Sequence, residues 1–187
     1  MSHPIAIVGY ALLAASMLGA VVFDLRSRRI PNRLVLIGIG LALALHAAAA
    51  IAGSPALAGR QWWAPLAGFA TGLAVLMPLH LMHATGAGDV KLMAMIGAFI
   101  GAPAMLSAAL CTFVAGGLLS LVFMFGRGVA AQALVNVRFL LTDLVVRAGS
   151  GQGARLAPLQ ATAARLPYAV AIACGTAAAL LWSPTWL

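Results

Sequence analysis

With 64% hydrophobic and only 7% charged residues over 187 positions, the chain is excluded from being a water-soluble globule, where about a quarter of residues carry charge. Its net charge of +8 comes from 11 Lys and Arg against 3 acids. The charge lies in short polar stretches between apolar blocks, not on a basic face interleaved with stacking aromatics, so it reads as membrane topology and not as nucleic-acid binding.

The apolar blocks are about 17–22 residues long, enough to cross a hydrocarbon core of roughly 30 Å as helices. The expected fold is therefore an all-α integral membrane protein, one domain over residues 1–187 with about six transmembrane helices in the lipid bilayer. The first span covers about 4–23. No basic residue precedes it and no small-residue cleavage site follows, so it reads as a retained span and not a signal peptide. Spans two and three cover about 34–52 and 63–82. A fourth, about 90–102, is short unless its helix begins near Ala87, and Gly101-Ala102-Pro103 then predicts a tight turn into a fifth at about 104–125. The long connection 126–165 opens with Leu134, Val137, Leu141, Leu144 and Val145 at helical spacing, opposed by Asn136, Asp143 and Arg147. That pattern predicts an interfacial amphipathic helix on the cytoplasmic leaflet, with Arg147 one turn from Asp143, before a flexible loop at 149–153. The sixth span covers about 166–184.

Basic residues stay on the cytoplasmic side of a membrane. The loops after spans one, three and five hold Arg26, Arg28, Arg29, Arg33, Lys91, Arg127, Arg138, Arg147, Arg155 and Arg165, and only Arg60 lies opposite. Both termini are then expected outside, in the periplasm.

There is no glutamate, and two of the three acids, Asp24 and Asp89, fall at helix ends at matched depth on the expected cytoplasmic side. Packing of spans one and four would bring them face to face. Paired carboxylates hydrolyse a peptide when one, ionised, takes a proton from water while the other, protonated, polarises the carbonyl. Proximity and burial create that division by raising one pKa. Neither metal nor cofactor is required. Plainer roles stand beside this one: Asp89 as a first-turn capping acid and Asp24 as an i to i+4 partner of Arg28. Gly86 and Gly88, lacking Cβ atoms, suit a sharp turn and the approach of an extended substrate.

Asp24-Leu25-Arg26-Ser27-Arg28-Arg29-Ile30-Pro31-Asn32 resembles the first-aspartate segment of the type IV prepilin peptidases, and Gly86-Ala87-Gly88-Asp89-Val90-Lys91 resembles their GxGD motif followed by an x-Lys pair. The resemblance covers roughly residues 5–125. It implies an aspartyl endopeptidase in the inner membrane, with Asp24 and Asp89 catalytic, that removes the short basic leader of a pilin-like precursor. The larger bifunctional members carry paired CxxC motifs and also methylate. This chain has only Cys111 and Cys174, read as buried core thiols, so it looks like the short, peptidase-only branch serving Flp-type pili of tight-adherence systems.

Lys91 and Asn32 flank the two aspartates and are candidates for tuning them or holding substrate. His80 and His83 have no acidic partner or third ligand spaced for a metal. Met77, Met82, Met93 and Met95 read as core, and Trp62, Trp63, Trp182 and Trp186 as interfacial belt residues. Two rival classes remain: a small ion-coupled transporter, which needs acids near midplane and broken helices in repeated halves, and a non-catalytic subunit of a pilus or secretion assembly.

Overall fold

The computed structural model describes residues 4–82, 85–149 and 167–182, so His83, the expected loop beyond Gly149, Arg155, Arg165 and Trp186 lie outside the described residues. Six helices follow in chain order: α1 Pro4–Ser27, α2 Asn32–Ile51, α3 Ala64–Leu81, α4 Ala87–Gly126, α5 Ala130–Gly149 and α6 Tyr168–Trp182. The first four are long and apolar enough to cross a membrane, and α6 is a shorter apolar helix. The protein is an all-α membrane protein. Among the described residues the only extended pairing is an isolated bridge between Ala56 and Gly59 in the α2–α3 loop.

Helix boundaries follow local chemistry. α1 continues past the expected end of its apolar block to Ser27, placing Asp24 in its last turn, and closes at Arg28 in the left-handed region (φ 51°), whose N–H donates to the Asp24 carbonyl at 2.9 Å. Pro31, extended at φ −64° and ψ 135°, then caps α2, and Asn32 becomes its first helical residue.

α4 is two helices in one stretch. Gly101, at φ 78° and ψ 170°, breaks the helical path, and Pro103 supplies no N–H to resume it in register. A methyl at Gly97 would stand 3.3 Å from the side chain of Met105. Eight residues apart on a straight helix, the two would be separated by about 12 Å. The chain therefore turns back at Gly101, as Gly101-Ala102-Pro103 predicts.

The first half of α4 is the centre of the molecule: every residue from Leu92 to Gly101 is buried. It lies against α3 so closely that a Cβ at Gly68 would collide with the backbone of Gly97, and one at Gly72 with the carbonyl of Met93. Small residues let these helices approach to backbone contact, which is how helices gain dispersion energy where lipid offers no hydrophobic drive. Met95 fills the notch at Gly38 of α2, and the second half of α4 carries α6, where Gly175 meets the backbone of Thr112.

α5 stands apart, with Arg147 Nε donating to Asp143 Oδ2 at 2.8 Å, the expected one-turn pair. Its apolar surface is broader than the expected stripe, since Val135, Phe139 and Val146 are exposed as well as Leu134, Val137, Leu141 and Val145. The cysteines depart from expectation. Cys174 is exposed on α6 and Cys111 only half-buried, because a lipid-facing thiol is as acceptable as a core one.

Candidate active site

Asp24, in the last turn of α1, and Asp89, in the first turn of α4, lie within electrostatic reach of each other. Asp24 belongs to the one buried stripe of α1, with Gly9, Leu13 and Ala20, and only 8% of its surface is exposed. A carboxylate so enclosed needs a donor. It has one from the far end of the chain: the backbone N–H of Ala169, in the first turn of α6, donates to Asp24 Oδ2 at 3.1 Å.

Asp89 is held by its own turn. It is the third residue of α4, ahead of Lys91 and of the apolar run that opens at Leu92, and so stands at the polar end of the helix, outside that run. Its N–H donates to the Gly86 carbonyl at 3.2 Å, and the Gly86 N–H donates to Asp89 Oδ2 at 3.3 Å, a reciprocal N-terminal cap. Burial pushes the Asp89 carboxyl up, the nearby charge of Asp24 pushes it further, and the Gly86 hydrogen bond only partly opposes them; the net result is about 6. Asp89 is therefore a capping acid, and the capping role coexists with a carboxyl raised well above its ordinary value. Asp89 also acts electrostatically on Tyr168, the residue beside Ala169.

Gly86 and Gly88 sit where the motif places them, for different reasons. Gly86 is extended (φ −74°, ψ 148°), a conformation any residue adopts, so its backbone does not use glycine's freedom to turn. A Cβ there would stand 3.3 Å from Asp89 Oδ2, and one at Gly88 would touch Ile30 at 3.4 Å. Lys91 and Asn32 are joined to each other, Lys91 Nζ donating to Asn32 Oδ1 at 3.0 Å, which ties the start of α4 to the start of α2. Both also line an otherwise apolar groove of about 300 Å³, together with Val35, Ile39, Phe69 and Leu73. His80 Nδ1 lies 3.0 Å from the Thr85 carbonyl, steadying the segment that leads into Gly86.

Two features of this site were absent from the sequence reading: the α6 amide on Asp24, and Tyr168 beside Asp89. A backbone N–H carries no residue signature. Tyr168, by contrast, was visible as one of only two tyrosines in the chain. Among the described residues no group of three or more His, Cys, Asp or Glu is gathered as metal ligands would be.

Residues 11–121 match the family model described as the type IV leader peptidase family. No curated protein and no solved structure matches the chain.

Proposed function

Since the chain belongs to the type IV leader peptidase family, we propose that it is an aspartyl endopeptidase that uses Asp24 and Asp89 to cut the short leader from type IV pilin-like, Flp-type precursors. The observation that carries this reading is that two of the chain's three acids, both inside the family-matched segment, stand close enough for the charge of one to act on the other. In the proposed cycle Asp24 removes a proton from water as the water oxygen attacks the scissile carbonyl carbon, and Asp89 gives its proton to the carbonyl oxygen. The tetrahedral intermediate then collapses. Asp89 recovers its proton from that oxygen, the C–N bond breaks, and Asp24 passes the water-derived proton to the leaving amine.

The apolar groove lined in part by Asn32 and Lys91 suits the hydrophobic segment that follows a pilin-like leader, with the cleavage site presented beside Gly86, Gly88 and Asp89. The basic asymmetry of the loops supports an inner-membrane enzyme with both termini periplasmic and the aspartates on the cytoplasmic side. With two cysteines and no CxxC pair in the chain, the proposed activity is peptidase without methyltransferase.

Co-expression with small pilin-like precursors tests the proposal, read as a shift of precursor to mature size. Wild type should convert the precursor, and Asp24→Asn and Asp89→Asn should each lower the rate by about 10²–10⁴-fold, the usual worth of a positioned acid or base, while still inserting into the membrane. Near-wild-type turnover by either variant would overturn the dyad.

A further inference from the structure

The family match ends at residue 121, yet the hydrogen bond that holds Asp24 comes from residue 169. Ala169 is fully buried. Its N–H is one of the first-turn donors that no helix can satisfy internally, whereas its neighbour Val170 already donates to the Pro167 carbonyl at 3.2 Å. Among the described residues the α6 amide is the hydrogen bond given to this carboxylate, and it fixes the direction of Oδ2. The adjoining Tyr168 lies within electrostatic reach of Asp89. Two consecutive residues of α6 thus address both aspartates.

We infer that the first turn of α6 is a working part of the catalytic centre, in which Ala169 acts as a positioning residue: its N–H anchors Asp24 Oδ2 and leaves the remaining lone pairs of the carboxylate to accept the proton of water. A backbone N–H can only donate, so Oδ2 accepts it and Oδ1 is left to take the proton of water. The side chain at 169 has no part in this. What matters is the amide.

This inference rests on the dyad reading, and the experiment separates the two. The full-length protein, purified in lipid nanodiscs, is given a synthetic precursor peptide already shown to be cut by wild type. Ala169→Pro deletes the N–H at a first-turn position that tolerates proline, Ala169→Gly keeps it, and replacing alanine 169 by its α-hydroxy analogue converts the amide to an ester without adding a ring. We expect kcat to fall roughly 10- to 100-fold in Ala169→Pro and in the ester with KM within about twofold of wild type, as when an interaction serves only the transition state. Ala169→Gly should keep wild-type kcat. An ester with wild-type kcat overturns the inference even if Ala169→Pro is inactive, because the proline effect would then be one of shape. A raised KM with unchanged kcat overturns it too, moving α6 to substrate binding. Undiminished cleavage by Asp24→Asn would instead refute the dyad itself.

Discussion

α1 and the first half of α4 each deliver one aspartate, and they could hardly be placed more differently. α1 buries a single stripe and turns Ile7, Val8, Leu18, Val22 and Phe23 outward, whereas from Leu92 to Gly101 α4 has no exposed side at all. Asp89 therefore rides on the most constrained segment of the molecule and is capped by its own turn. Asp24 rides on a peripheral helix and, among the described residues, takes its hydrogen bond where that helix reaches α6. Inward placement of a carboxylate can thus be built from the core outward or borrowed from a distant element, and the second way depends on one amide.

Filling the α3–α4 contact should break that contrast most severely. Gly97→Leu forces a side chain into the backbone of Gly68, and we expect loss of folded protein after solubilisation, a cost above about 3 kcal/mol by overpacking. Gly40→Ala, at a position on α2 with open space around it, should melt within about 1 kcal/mol of wild type or slightly higher. Equal thermal stability of the two variants would remove the distinction between core and periphery.

The second effect is on pH. In the proposed cycle Asp89 must carry a proton to act as the acid, and its carboxyl is pushed up to about 6, so kcat/KM for the free enzyme should fall about tenfold per pH unit above that value. Stability runs the same way for this group. The folded state holds the proton more tightly than the unfolded chain, whose carboxyl titrates near 3.8, so the fold loses stability as pH rises from 3.8 to about 6 and is level beyond. Removing the Asp24 charge in Asp24→Asn should move the Asp89 carboxyl signal in infrared titration to lower pH; an unmoved signal would show that the two groups do not interact.

Smaller effects belong to the rim. Lys91→Met breaks one exposed hydrogen bond to Asn32, worth about 1 kcal/mol, so cleavage should change by no more than about fivefold. A pH–rate profile displaced from wild type would give Lys91 a direct part in setting the dyad. Asp143→Asn loses only its partly exposed pair with Arg147 on α5 and should leave turnover unchanged. An inactive variant there would transfer a catalytic role to that helix.

Much of the site was legible because acids are rare in this chain and their two surrounding motifs are distinctive. Asp24, Asp89, the glycines at 86 and 88 and the turn at Gly101-Ala102-Pro103 can be read directly. The inward face of α1 was not legible, since lipid and core both demand apolar residues and the periodicity that marks a buried face in water disappears. For the same reason Cys174, lipid-exposed, was read as core. Nor does the sequence say which helix Gly68, Gly72 and Gly97 face, since glycines recur throughout the chain. Lys91 and Asn32 were both noticed, but not their bond to each other, 59 residues apart in sequence.

The turn at Gly101 has a consequence for how deep the chemistry sits. Gly101 is pinned against Ala58 of the α2–α3 loop and Gly68 of α3, at the end of the bundle opposite Asp89. The helix between them is a ruler of roughly 18 Å, with a fixed rise of about 1.5 Å and a rotation of about 100° per residue. The depth and bearing of Asp89 are therefore measured from the far side of the bilayer. Inserting a single residue anywhere in 92–99 would lift the carboxylate by one rise and swing it a quarter-turn away from Asp24, without altering any residue near the reacting bond.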